Sequence, residues 1–127
     1  MNTNKAELLL KDAVFQIVGC TIKVLNTLCH GLLEKSYESA LVVEFGLRKI
    51  RVRQQPSFDI VYKGQKVALF IPDVIVFDSV VVDTKVIDQI TDQQRGLMLN
   101  YLRITQLRVG VSRNFKHRKL EWERIAL

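Results

Sequence analysis

The spacing of apolar side chains predicts two helices at the start of the chain. Across residues 5–29 apolar residues recur at intervals of three, four and seven, which places them on one helical face. The residues of that face are Leu8, Phe15, Val18, Ile22, Leu25 and Cys29. Gly31 interrupts the pattern, and a second helix is predicted over residues 33–49. Its apolar side consists of Leu33, Tyr37, Ala40, Leu41 and Phe45.

From residue 50 onwards the apolar period is two, which indicates β-strands. Ile50 and Val52 alternate with arginines, and further strands are predicted over residues 58–62, 67–70, 73–77 and 80–85. Short turns connect these strands, so we expect a meander. A third helix begins near Thr91 and ends before Leu107. Two closing strands follow around residues 109–111 and 120–122.

This order of elements predicts a mixed α/β (α+β) fold, in which helices pack on the faces of a mixed sheet. The 127 residues are 48% apolar and 25% charged, which is average for globular proteins. That composition excludes collagen-like, disordered and disulfide-rich classes. No linker or internal repeat divides the chain, so we expect a single domain over residues 1–127.

The cysteines and the apolar runs indicate in which cellular compartment the protein is expected. Cys20 and Cys29 are nine residues apart, so on one helix they point to opposite sides and cannot form a disulfide. We interpret them as reduced thiols of a cytoplasmic protein. The N-terminal residues do not have the pattern of a secretory signal. No apolar run approaches the roughly 20 residues that a bilayer requires, so we expect no membrane segment.

Positive charge is concentrated in two regions. The chain has 19 basic and 13 acidic residues, a net charge of +6. Residues 103–127 hold seven basic and two acidic residues, and a second basic cluster lies at residues 48–53. Such clusters suit a polyanion such as nucleic acid. The residues assigned to that role are Arg48, Arg51, Arg53, Arg113, Lys116, Arg118 and Lys119. The alternative is a solvated basic face without a partner, and Trp122 is assigned to the core rather than to base stacking.

The most specific local pattern is an Ile-Pro-Asp run at residues 71–73 and an Asp-Thr-Lys run at residues 83–85. In a strand, Asp83 and Lys85 project from the same face. A two-residue turn at residues 78–79 would place Asp73 and Asp83 on opposite faces. A three-residue turn, or a bulge near residue 72, would place Asp73 across from Asp83 on one face. We predict this irregular hairpin.

Two carboxylates a few ångströms apart repel each other unless a cation or a proton lies between them. Their oxygens suit a hard divalent ion, and Mg²⁺ fits best. Such an ion can orient a water at a phosphorus atom, while Lys85 holds that water or the phosphate oxygens. The alternative is that Asp73 is a turn residue and that Asp83 and Lys85 form a surface ion pair. The apolar residues on both sides of that pair favour the metal site, because burial of charges without a function is costly.

These residues resemble the GxxExxxY family, a bacterial and archaeal branch of the PD-(D/E)XK nuclease-like superfamily. The resemblance covers about residues 30–115, and the order and spacing of its motifs are more specific than any one of them. The motifs are residues 31–37 (GLLEKSY), 62–64 (YKG), 72–73 (PD), 83–85 (DTK), 100–103 (NYLR) and 107–110 (LRVG).

The resemblance implies a restriction-endonuclease-like core and a Mg²⁺-dependent nuclease, with Mn²⁺ as a substitute ion. Glu34 corresponds to the helical acid, Asp73 and Asp83 to metal ligands, and Lys85 to the catalytic lysine. Asp83 stands where most relatives have Glu, which the superfamily signature permits. From the residues alone, Glu34 could also be a first-turn acid that the helix dipole favours.

Three further residues are assigned to positions behind the metal ligands or beside the phosphate: Tyr37, Gln94 and Tyr101. The two tyrosines could instead be core residues with satisfied hydroxyls. The resemblance implies Gln and His at the positions where this chain has Leu97 and Gln94. Leu97 can bind neither a metal-bound water nor a phosphate, whereas Gln94, one turn away, could reach the same space.

The expected partner is nucleic acid, with DNA favoured over RNA. Two alternatives to an active nuclease stay open. One is a nucleic-acid-binding or assembly module that keeps the fold without turnover. The other is a structural protein, such as a homodimer formed through the first helix.

Overall fold

The structure is a computed structural model that describes the backbone of residues 2–127 and the side chains of residues 10–127. Helices and strands follow one another along the chain in the order that the sequence predicts. They are α1 (Asn2–Leu28), α2 (Glu34–Leu47), β1 (Val52–Gln54), β2 (Phe58–Tyr62), β3 (Gln65–Phe70), β4 (Val74–Val76), β5 (Val80–Lys85), α3 (Asp92–Thr105), β6 (Val109–Asn114) and β7 (Glu121–Ala126).

Five strands form one mixed sheet in the order β1-β4-β5-β6-β7, while β2 and β3 form a separate hairpin. β5 and β6 pair in parallel, and the other neighbours pair antiparallel. A parallel pair needs a crossover connection, which α3 supplies. The predicted mixed sheet with flanking helices is confirmed, and it agrees with a restriction-endonuclease-like fold. The predicted meander is wrong, because a period of two identifies strands but not the strands with which they pair.

The two faces of the sheet bury separate cores. On one face α1 and α2 cover the valines of β4, β5 and β6. On the other face α3 places Met98 and Leu102 against Ile75 and Val81. A Cβ atom at Gly110 of β6 would lie 2.4 Å from Sδ of Met98, so glycine permits this close approach of helix and sheet.

The buried face of α1 overlaps the predicted face only in part. Val18 and Leu25 of the predicted face are buried, as expected. Phe15 is 70% exposed and Ile22 is 43% exposed, whereas Val14, which the predicted face omits, is buried. The apolar residues of this helix form a band wider than one stripe, so the spacing alone does not identify which edge of the band is buried. The side chain of the predicted face residue at position 8 lies outside the described part of the chain.

The other predicted helices are confirmed with small changes. The predicted face of α2 is buried at Tyr37, Leu41 and Phe45. Leu33 is 81% exposed, because it precedes the first helical residue. Cys20 is buried, Cys29 is exposed, and both are free thiols. Within the described residues, no helix has the length and apolar character needed to cross a membrane.

Candidate active site

The turn between β4 and β5 determines where Asp73 lies. Val74 pairs with Val82, and the turn that joins the strands consists of residues 77–79. Two of these three residues have a left-handed φ, which a tight irregular turn requires. In this register the next pair is Asp73 with Asp83, on the same face of the sheet. The predicted irregular hairpin is therefore confirmed, in its three-residue form.

Asp73 and Asp83 line the same cavity, and the negative charge of Asp83 acts on the Asp73 carboxyl group. The backbone N–H of Thr84 also donates a 2.8 Å hydrogen bond to Oδ2 of Asp73. Burial raises the pKa of Asp73 to about 6, the negative charges of Asp83 and Glu38 add to the rise, and the Thr84 amide opposes it. Ionisation of Asp73 is therefore unfavourable unless further positive charge is bound beside it.

Lys85 supplies the positive charge of this cluster. Its Nζ lies 3.1 Å from Oδ2 of Asp83, with the two side chains 24% and 18% exposed. Burial by itself lowers the pKa of Lys85, but Asp83, Tyr101 and Glu34 together hold that pKa above its usual range. Lys85 is therefore a cation at neutral pH, fixed to the carboxylate that lies two residues before it.

One cavity of about 210 Å³ contains these side chains, and it is also lined by Glu34 and Tyr101. Oε1 of Glu34 accepts a 3.3 Å hydrogen bond from the backbone N–H of Val86. In the described part of the chain no three acidic, histidine or cysteine side chains are grouped so that they could hold a metal ion. The structure thus brings the four predicted residues to one cavity, in which the carboxyl groups of Asp73 and Asp83 are neighbours.

Residues 11–125 match the family model of the PD-(D/E)XK nuclease superfamily. The chain belongs to this superfamily. The matched region contains the Pro-Asp run at residues 72–73 and the Asp-Thr-Lys run at residues 83–85, which have the form that the superfamily's name describes. No curated protein and no solved structure matches the chain.

In this PD-(D/E)XK nuclease superfamily member, a buried arginine lies behind the cavity. Arg113 is 0% exposed, and it donates hydrogen bonds to Thr84 Oγ1 at 2.7 Å and to Thr21 Oγ1 at 3.2 Å. Burial lowers the pKa of Arg113 to about 10, against the opposing effect of nearby Asp83 and Asp73. The prediction that Arg113 lies on a nucleic-acid-binding surface is therefore wrong.

The sequence does contain a signal for this burial. In β6, residue 113 follows Val109 and Val111 at the period of a strand, so it lies on the face that packs against α1. A net charge summed over residues 103–127 does not show which residues of the strand point to the buried face. Arg113 Nε has no hydrogen-bond partner among the described atoms.

Glu38 is a second charged residue that the sequence reasoning did not assign to the site. It is buried, and Oε2 accepts hydrogen bonds from Gln54 at 2.8 Å and Lys35 at 3.1 Å. Its charge raises the pKa of Asp73. The signal was available, because Glu38 follows Glu34 by four residues and so lies on the same face of α2.

Two residues assigned beside the cavity have other roles. Tyr37 is fully buried, and its hydroxyl donates to the Cys29 carbonyl at 2.7 Å, which confirms the core alternative. Gln94 Oε1 accepts the backbone N–H of Thr91 at 2.9 Å, as part of the capping box of α3. The cap satisfies a backbone donor that a helix start otherwise leaves free. Of the three residues assigned there, Tyr101 lines the cavity.

Acidic partners neutralise several of the predicted nucleic-acid-binding cations. Arg48 pairs with Glu44 at 2.7 Å, Arg51 pairs with Asp78 at 3.1 Å, and Lys116 pairs with Asp88. The remaining exposed cations of the predicted set have no ion pair with any described residue. They are Arg53, Arg118 and Lys119.

Proposed function

We propose that the chain is a Mg²⁺-dependent nuclease of the GxxExxxY branch, which hydrolyses phosphodiester bonds in nucleic acid. The observation that carries this proposal is the convergence of Asp73, Asp83 and Lys85 on one cavity. Membership of the superfamily supports the nuclease reaction. We further propose that the chain acts as a single domain in the cytoplasm, in keeping with its free thiols.

The donor set fits a hard divalent cation, because Asp73 and Asp83 offer adjacent carboxylate oxygens and no soft ligand lines the cavity among the described residues. Asp73 and Asp83 would hold Mg²⁺ or Mn²⁺. A bound ion of this kind lowers the pKa of a coordinated water and neutralises charge on the phosphate. The Thr84 amide fixes the Asp73 carboxylate for that task, since a hydrogen bond restrains one of its oxygens.

Lys85 would position the attacking water or a phosphate oxygen, because Asp83 keeps its ammonium group charged and oriented. Tyr101 lines the same cavity, so its hydroxyl could donate a hydrogen bond to the phosphate. Glu34 would act mainly by fixing the backbone after β5 through the Val86 amide. Arg53, Arg118 and Lys119 would bind phosphates without reading sequence. DNA is the favoured polymer.

Cleavage of supercoiled plasmid in Mg²⁺ tests the proposal, with single-stranded DNA and RNA as parallel substrates. We expect the wild type to cut and Lys85→Ala to lose activity about 100-fold or more. Lys63→Ala, which removes an exposed lysine from the β2–β3 turn, is the matched control and should cut at the wild-type rate. Equal cleavage by wild type and Lys85→Ala, or no cleavage by either, would overturn the enzyme assignment.

A nucleic-acid-binding or assembly module without turnover is the second candidate. Two observations favour it: Gln94 is occupied by the cap of α3, and Leu97 offers no polar group. This candidate predicts binding of nucleic acid that weakens with salt, and no cleavage with any divalent ion.

A further inference from the structure

A second and larger cavity, of about 520 Å³, lies between α1 and β7. Its lining includes Trp122, which pairs with Arg113, which in turn pairs with Thr84. Paired residues of neighbouring strands share a face of the sheet, so Trp122 lies on the α1 face. Asp83 precedes Thr84 and so lies on the α3 face. The cavity is therefore separate from the site that holds Asp73, Asp83 and Lys85.

The walls of this cavity are apolar, and its most prominent side chain is an aromatic ring. Trp122 is 41% exposed, so it is not the core residue that the sequence suggested. Ile22 of α1 is 43% exposed beside it, and Leu25 and Leu120 complete the apolar lining. Asn26 adds one amide group with both donors and acceptors. An exposed indole in an apolar groove offers a flat surface for stacking.

The rim of the cavity carries unbalanced positive charge. Arg118 and Lys119 are exposed, and neither forms an ion pair within residues 10–127. The nearby acids of β7 project to the other face, where Glu121 accepts a hydrogen bond from Asn114 and Glu123 from Arg95. No acidic residue lines this cavity in the described part of the chain.

Arg118 also lines an adjoining cavity of about 230 Å³. Asn26 and Leu25 are shared by both cavities, and His30 lies in the second one. The two cavities thus form an extended groove along α1, with Arg118 at their junction.

We propose that this groove binds a single-stranded segment of nucleic acid, with a base stacked on Trp122 and phosphates held by Arg118 and Lys119. Aromatic faces combined with a cationic groove are the means by which proteins bind single strands without sequence preference. The inference rests on the proposed function only for the identity of the polymer. A second copy of the chain is disfavoured as occupant, because it would have to cover two cations that no described side chain neutralises.

Trp122 is the chain's single tryptophan, so its fluorescence reports on this groove directly. Titration with a short oligothymidylate should quench that fluorescence, and added salt should weaken the binding. The double variant Arg118→Gln/Lys119→Gln should bind about tenfold more weakly. The control Lys63→Gln/Lys66→Gln removes the same charge from the β2–β3 hairpin and should bind as the wild type does. Heparin, which has charge but no bases, should not quench.

Several outcomes would overturn the proposal: no quenching by the oligonucleotide, equal quenching by heparin, or equal binding by the two double variants. Emission that changes with protein concentration alone would assign the groove to a second copy, and would also overturn it. Lys85→Ala separates this inference from the proposed nuclease activity, because it should abolish cleavage and leave quenching intact. Quenching without wild-type cleavage would overturn only the nuclease proposal. Cleavage without quenching would overturn only the proposal that the groove binds nucleic acid.

Discussion

The backbone amide of Thr84 donates a 2.8 Å hydrogen bond to the carboxylate of Asp73. On the opposite face of the sheet, the hydroxyl of the same threonine accepts a 2.7 Å hydrogen bond from Arg113. Thr84 therefore links the charged cavity to the buried guanidinium. Asp83 and Lys85 are its neighbours in the chain. A shift of Thr84 would therefore move these two side chains as well as the Asp73 carboxylate that its amide holds.

The raised pKa of Asp73 predicts how pH affects the stability of the metal-free protein. The folded pKa is about 6 and the ordinary value is 3.8, so the unfolded carboxyl ionises more readily. Stability is therefore lost as pH rises from about 4 to above 6 through this group. Asp73→Asn should stabilise the protein by roughly 1–2 kcal/mol at about pH 7.5, after allowance for solvent screening, and by nothing near pH 4.

Urea unfolding of the chelator-treated proteins across this pH range measures the difference. Asp59→Asn, at an exposed strand position, is the control and should show no such gain at neutral pH. Greater stability of the wild type than of Asp73→Asn at neutral pH would contradict the prediction.

The pairing of Asp73 with Asp83 could be predicted from sequence because the alternatives are discrete. A turn that is longer or shorter by one residue reverses the face on which Asp73 lies. One of the two registers brings the two acids together. The separate β2–β3 hairpin could not be predicted in that way. Its packing on α3, where Phe70 stacks on Tyr101 with ring centroids 4.0 Å apart, depends on contacts between distant residues.

The errors in the sequence reasoning have similar physical origins. α1 carries a broad apolar band, and contact with the sheet determines which part of it is buried. Phe15 belongs to the predicted face but is exposed, whereas Val18 of the same face is buried. The prediction places Arg113 on the surface because it considers the charge of the residue and not its position on the buried face of an apolar strand. Buried charges of this kind are stabilised by partners that the sequence does not reveal, here Thr21 and Thr84.

Removal of the buried guanidinium should be strongly destabilising. Arg113→Ala leaves a cavity and deprives the Thr84 hydroxyl of its donor, so we expect a loss of roughly 3–4 kcal/mol in the free energy of unfolding. Arg118→Ala, an exposed arginine five residues later, should change it by less than about 0.5 kcal/mol. Equilibrium denaturation of both variants makes the comparison. Similar small effects would show that Arg113 contributes little to the fold.

Substitution of Glu34 should distinguish a metal ligand from a support for the backbone. In the structure Glu34 accepts a hydrogen bond from Val86 and is not grouped with the two aspartates. Glu34→Gln retains an acceptor for that amide, so we expect nuclease activity to fall about tenfold or less. Asp83→Asn should cost about 100-fold or more, since it removes a negative charge from the proposed metal site. If the two variants lose activity equally, Glu34 contributes to metal binding as much as Asp83 does.

Thermal melting with divalent ions tests the metal site without relying on catalysis. A cation that binds only the folded protein stabilises it by about 2.7 kcal/mol at one hundred times its dissociation constant, which raises Tm by several degrees. We expect this rise with Mg²⁺ or Mn²⁺ for the wild type, and its loss in Asp73→Asn and Asp83→Asn. Because the Asp73 carboxyl with its pKa of about 6 must release its proton to bind the ion, the rise should be smaller near pH 5 than near pH 7.5. Equal shifts in wild type and variants would place the bound ion elsewhere on the protein.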